Sequence, residues 1–567
     1  MSSIKKLGKA ILWVVAVLVG VELCAVVVSY FVRRIPSHTV LEVRIEGEIP
    51  EQASRDPLAE LTGSVTTVTD IVEGLDRART DPRITGIKVR VGPSTMNMGK
   101  MQEVREKIRD FNRSGKFSVA YLEFATNGAY YVASACQTLI LLPKSELYVH
   151  GLMADSTFFK GALDKLGIVP DLYHIGDYKN ATNVFTETKF TPAHREATQA
   201  LLDDWNQEFL RGLAEGRGLT TGNAQTAIRN GPFSSEEALA AKLVDRVAYA
   251  DEVRQLVRQK NHDNENRLSL PEYLERTERA GRSKLAVIYA TGTIVPGRSG
   301  NSPFGDQIMG SDTIAEQFRH AREDRSARAV ILRIDSPGGS AFSSEAIRRA
   351  VEITRRVKPV VVSMSDVAAS GGYWIAMSAN RVIAEPGTIT GSIGVITGKL
   401  NLMGLYRKLG LSKDYIATTE NATLDWPFQD YTPAQRRSVE RGMREVYANF
   451  IHGVAEGRHL PVEAVDKIAR GRVWTGERAR QLGLVDDLGG LHKAIDVARE
   501  LARIPASEGV TLEFLPPRKS LLERILELVA SARVGSQAVS PRLWLERIEL
   551  FAREPAWALA PEVPQVR

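Results

Sequence analysis

Apolar and polar residues first separate at the N-terminus. Residues 10–32 read AILWVVAVLVGVELCAVVVSYFV, with Glu22 the single charge. As a helix rising 1.5 Å per residue this run spans about 35 Å, enough for a hydrocarbon core of about 30 Å. A cleaved signal peptide has a shorter apolar region, about 7–15 residues, and a small-residue cleavage site. The run therefore predicts an uncleaved transmembrane helix held in the lipid bilayer, after a short basic N-terminus at residues 1–9. Lys5, Lys6 and Lys9 precede it and Arg33 and Arg34 follow, a balance that barely sets its orientation.

Beyond the apolar run the pattern changes to alternating short elements. TVLEVRIEG and KLAVIYATG are β-branched runs ended by glycine, which predicts strands. Helical spacing follows each, at Ile71/Leu75/Ala78 and Ile314/Phe318/Ala321. Then come a buried strand (87–91; 330–334), a second helix (101–112; 344–357) and another strand (117–122; 360–364). Strands alternating with helices predict an α/β fold.

The pattern occurs twice. Shifted by 243 positions, residues 71–151 lie on 314–394 without a gap, and 16 of these 81 positions are identical. Ordinary residue frequencies give roughly five. The identities include Ala78/Ala321, Asp81/Asp324, Arg90/Arg333, Gly128/Gly371, Tyr130/Tyr373 and Gly151/Gly394. This implies a tandem duplication: a first repeat at 38–260, a charged connector at 261–284 and a second repeat at 285–505. The tail, 506–567, opens with a capping box, Ser520 to Glu523, before an amphipathic stretch, and a second such stretch follows.

Composition narrows the options little. The net charge of +6 over 567 residues is too weak to argue for a nucleic-acid partner. Nine His and two Cys exclude a disulfide scaffold and a Cys-rich zinc site. Neither a metal nor a cofactor is called for.

The differences between the copies carry the chemistry. Ser370, in Ala369-Ser370-Gly371-Gly372-Tyr373-Trp374, has become Asn127 in the first copy, although the next glycine remains. Asp335-Ser336-Pro337-Gly338-Gly339 faces Gly92-Pro93-Ser94-Thr95-Met96, so one copy has lost its glycine pair. Conversely, Lys179 of the first copy falls on Ala422. Ser370 ends an apolar strand and opens a helical run, where free backbone N–H groups favour a developing oxyanion. Gly371 allows close approach of a substrate, and the Gly338-Gly339 turn could supply a second N–H. Read alone, Ser370 is a cap or turn residue and Lys179 a solvated surface charge. No histidine sits in a triad motif, and a lysine acts as a base only where burial lowers its pKa.

SPGGS, ASGGYW and TGSIGV in the second copy and GDYKNA in the first resemble the signal peptide peptidase A family, the long bacterial form also called protease IV. The likeness covers nearly the whole chain: anchor, two copies of a Clp-protease/crotonase-like domain, and their order. It implies a serine peptidase with Ser370 as nucleophile, Lys179 as general base, Ser392 orienting the lysine, and Gly371 with Gly338-Gly339 forming the oxyanion hole. It further implies peptide substrates, mainly remnants of signal peptides, a homotetramer, and a single-pass protein of the bacterial inner membrane with its body in the periplasm. Asn183-Val184-Phe185 departs from the more acidic or proline-containing stretch expected there. The apolar segment 389–405 is a candidate lining for hydrophobic subsites. Two rival readings are a crotonase-like acyl-CoA enzyme and a membrane-tethered scaffold without catalysis; the anchor and the split Ser/Lys pair weigh against the first, the asymmetry of the copies against the second.

Overall fold

The computed structural model describes residues 34–52, 65–277, 281–302, 307–505, 507–516 and 557–559. The apolar run at 10–32, with Glu22, and the amphipathic stretches of the tail lie outside them. Among the described residues no helix is long and apolar enough to cross a membrane.

The β-branched runs form two sheets with the same strand order. In the first, Arg267–Ser269, Thr39–Gly47, Ile84–Ser94, Phe117–Leu122, Thr138–Leu141 and Arg246–Val247 lie side by side, all parallel. In the second the order is Val510–Leu515, Ser283–Thr291, Ala327–Ser336, Val360–Ala369, Arg381–Ala384 and Asp487–Leu488, again parallel. Helices cover the faces, which is why the central strands are rich in β-branched and other apolar residues. All ten residues of Val360–Ala369 are buried. Details repeat as well. Tyr130 donates its hydroxyl to Leu243 O at 2.7 Å, and Tyr373 donates to Leu484 O at 2.9 Å. Arg217 pairs with Asp245 as Arg458 does with Asp486.

Two boundaries differ from the expectation. The stretch 261–284 is not simply a connector, because Arg267–Ser269 extends the first sheet and Leu270 and Tyr273 of the next helix are buried. Glu265, Arg267 and Glu272 gave it a solvated look, but they alternate with residues that pack. The second repeat likewise runs past 505, since Val510–Leu515 takes the corresponding edge of its own sheet.

The two repeats are joined by strand pairing and by buried charge. Val169–Ile175 of the first lies antiparallel to Val395–Asn401 of the second along its full length. Arg333 of the second repeat, 1% exposed, reaches into the first. Its Nε and Nη2 donate to Glu51 at 2.8 and 3.0 Å, and Nη2 also donates to Glu103 at 2.6 Å. Lys100 stands 2.7 Å from Asp335 and 3.6 Å from Asp366. Buried charges of this kind persist only when every one is paired. The equivalent Arg90 instead faces outward toward Glu46 and Glu123.

Candidate active site

Ser370 stands where the buried strand Val360–Ala369 turns into the helix Gly371–Ala376. Its backbone is held at φ 55° and ψ −113°, a region that side chains other than glycine enter rarely. Its N–H donates to Gly391 O at 2.8 Å, and its carbonyl accepts from Trp374 N at 2.8 Å. Both ends of the turn are thereby fixed. The hydroxyl makes no cap bond to the helix, so it is spared for another partner.

That partner comes from the other repeat. Lys179 follows the cross-repeat strand Val169–Ile175 by four residues, and Ser392 precedes Val395–Asn401 by three. Because Ile175 is opposite Val395, this register brings the two loops together. Lys179 Nζ lies 2.7 Å from Ser370 Oγ, 2.8 Å from Ser392 O and 3.0 Å from Ser392 Oγ. All three residues are fully buried. A neutral amine has two N–H donors and one lone pair. In that state Ser392's two oxygens can accept the former, and the lone pair is left to receive the Ser370 hydroxyl. Burial pushes the lysine pKa well below its ordinary value, with no nearby charge restoring it.

The lysine loop is seated on backbone. Gly471 has φ +77°, and a Cβ added there would sit 2.5 Å from the Lys179 backbone. Gly176, with φ +103°, meets the backbone of Arg470 in the same way, while Tyr178 N donates to Arg470 O at 3.0 Å. Gly471 was not singled out in the sequence. Its partner lies almost three hundred residues away, and an isolated glycine gives no sign of it.

The glycine pair falls beside the nucleophile. A Cβ on Gly371 would lie 3.0 Å from Gly339 N and 3.1 Å from Gly338 Cα, so the two segments touch. Gly371 is the first residue of its helix, where N–H groups have no intrahelical acceptor. Gly338 N–H is occupied, donating to Ser336 Oγ at 3.1 Å. Of the pair, Gly339 is therefore the better placed to meet an oxyanion. Ile389 and Ile393, from the segment 389–405, are buried in the cores.

The first repeat has no such arrangement at Asn127. Its Nδ2 donates to Gly151 O at 2.9 Å, and its Oδ1 accepts from His150 N at 3.2 Å. The amide thus staples a loop where the second repeat holds its hydroxyl.

Comparison with known proteins identifies the family. The profile of Peptidase family S49 matches residues 110–263 and 352–505, one stretch in each repeat. The chain is 32% identical over 520 residues to "Serine protease SPPA, chloroplastic" of Arabidopsis thaliana, covering 89% of this chain and 76% of the relative. It is 34% identical over 470 residues to "Protease 4" of Salmonella typhi, covering 80% and 74%. A "Protease 4" of Haemophilus influenzae is 32% identical over 477 residues, covering 79% and 75%. With both repeats matched and these relatives aligned over most of its length, the chain belongs to peptidase family S49, among the signal peptide peptidase A proteins, and is a serine peptidase.

Proposed function

We propose that the protein is a membrane-anchored endopeptidase with a Ser370/Lys179 dyad, hydrolysing peptides through an acyl-enzyme. Neutral Lys179 takes the Ser370 proton as Oγ attacks the peptide carbonyl carbon. The carbonyl oxygen becomes an oxyanion, held by the backbone N–H groups of Gly371 and Gly339. The ammonium then protonates the leaving amine as the C–N bond breaks. Once neutral again, Lys179 draws a proton from water as the water attacks the ester carbon, and returns that proton to Ser370 Oγ as the acyl C–O bond breaks. Ser392 holds the amine on line through the two oxygens it offers. The observation that carries this reading is the 2.7 Å approach of a fully buried lysine, stripped of counter-charge, to a strained serine.

Anchorage through residues 10–32, a periplasmic body, a homotetrameric assembly and cleaved signal peptides as substrates complete the proposal. They rest on the apolar run and on the family resemblance. Hydrolysis of an apolar peptide by Ser370→Ala and Lys179→Ala tests the dyad. Each single variant is expected to lose about 10²–10⁴-fold in kcat/KM, and the double variant little more, because the two act as one unit. Activity retained by Ser370→Ala overturns the assignment.

A further inference from the structure

A short strand from the tail, Trp557–Leu559, lies against the glycine segment beside Ser370. It runs antiparallel to Gly338–Ser340, with Gly338 opposite Leu559, Gly339 opposite Ala558 and Ser340 opposite Trp557. On its other side Trp557 pairs with Ile396 of Val395–Asn401, also antiparallel. The strand further comes within 8 Å, Cα to Cα, of the helix that Ser370 opens. It thus completes a seven-stranded sheet, sitting between the oxyanion segment and the strand that carries the lysine partner register.

Without this strand, Gly338–Ser340 and Val395–Asn401 would face one another as two unpaired edges. Strand edges of this kind recruit extended peptide, because the unpaired N–H and C=O groups bind any backbone that matches their spacing. The groove leads to the nucleophile, since Gly339 is both the residue against Gly371 and the partner of Ala558. An extended substrate crossing Ser370 needs the same edges. The tail sequence at 556–560, Ala-Trp-Ala-Leu-Ala, is uncharged and stands between Pro555 and Pro561. It is itself an apolar peptide of the class proposed as substrate.

We infer that Trp557–Leu559 occupies the substrate-strand position of the catalytic groove and competes with peptide for it. This inference rests on the peptidase reading above for the identity of the competing ligand. A strand carried on the same chain competes as an intramolecular ligand, so even a weak strand suppresses binding of dilute peptide. Competition of this kind raises apparent KM and leaves kcat untouched.

Ala558→Pro tests the inference, since proline removes an N–H and disfavours a paired central strand. In full-length Ser370→Ala, hydrogen exchange is compared with and without Ala558→Pro. The segment Gly338–Ser340 is expected to exchange at least tenfold faster when the proline is present. In the otherwise wild-type chain, Ala558→Pro is expected to lower KM for an apolar peptide at least threefold at unchanged kcat. A synthetic peptide of residues 553–563, added to this variant, is expected to restore the higher KM competitively. Unchanged exchange or unchanged KM overturns the inference. Hydrolysis retained by Ser370→Ala instead overturns the peptidase reading, while the exchange measurement still reports whether the tail is seated.

Discussion

Ile175 of the first repeat is paired with Val395 of the second, and this one register places Lys179 beside Ser370. The proposed dyad draws on both halves of the duplication: one copy keeps the hydroxyl, the other keeps the amine, and an antiparallel strand pair joins them. Neither repeat holds both groups.

Ser392 offers both a carbonyl and a hydroxyl to Lys179. Ser392→Ala removes the hydroxyl and leaves the carbonyl. The expected result is a 10–100-fold fall in kcat with KM nearly unchanged. Because the lost oxygen accepts more strongly from an ammonium than from an amine, the acid limb of the kcat/KM profile should also move to lower pH. Steady-state kinetics from pH 5 to 10 check both. A merely structural role leaves the limb in place.

Activity should follow the neutral fraction of Lys179. Burial lowers its pKa, so kcat/KM rises with pH through that lowered value and falls away below it. The stability linkage has the matching sign. Between the lowered value and about 10.4 the unfolded chain binds the extra proton, so this residue's contribution to stability increases with pH. The stability of Lys179→Met relative to wild type should therefore decline from pH 7 to pH 10. Urea melts at the two pH values measure it.

Gly471→Ala should disable the lysine without replacing it. A Cβ there lies 2.5 Å from the Lys179 backbone, at a φ of +77°. The left-handed conformation alone costs about 1–2 kcal/mol, and the loop must also shift. We expect kcat to fall at least tenfold while the far-ultraviolet circular dichroism is unchanged. Single-turnover kinetics separate this from a binding defect.

Glu51 and Arg333 form the buried core of the contact between repeats. Glu51→Gln leaves a guanidinium short of one counter-charge in a dry site. Uncompensating a buried pair costs about 3–5 kcal/mol, with Glu103 offsetting part of it. Thermal melting should show a matching loss. Because Lys100 and Asp335 extend the same cluster to the Gly338-Gly339 turn, kcat should fall as well.

The core strands were legible because local pattern and tertiary placement agree: 117–122 was expected as a strand and forms Phe117–Leu122. The contrast between Ser370 and Asn127 also pointed to the site, since a duplicated fold preserves its scaffold and varies its chemistry. Burial of Lys179 was not legible. It arises from strand pairing between residues more than two hundred positions apart, and nothing around GDYKNA signals it. The stretch 261–284 misled for the opposite reason, its charges hiding Leu268, Leu270 and Tyr273, which pack. Nor did the tail sequence announce that Trp557–Leu559 seats beside Gly339, because a three-residue strand has no periodicity to read.

Labelling with a serine-directed phosphonate, followed by mapping of the modified residue, tests the Ser370–Lys179 pair most directly. The predicted result is a single adduct on Ser370 in the wild-type chain, formed at least about 100-fold more slowly in Lys179→Ala. An adduct on another serine, or labelling of Ser370 at an undiminished rate in Lys179→Ala, would contradict the dyad.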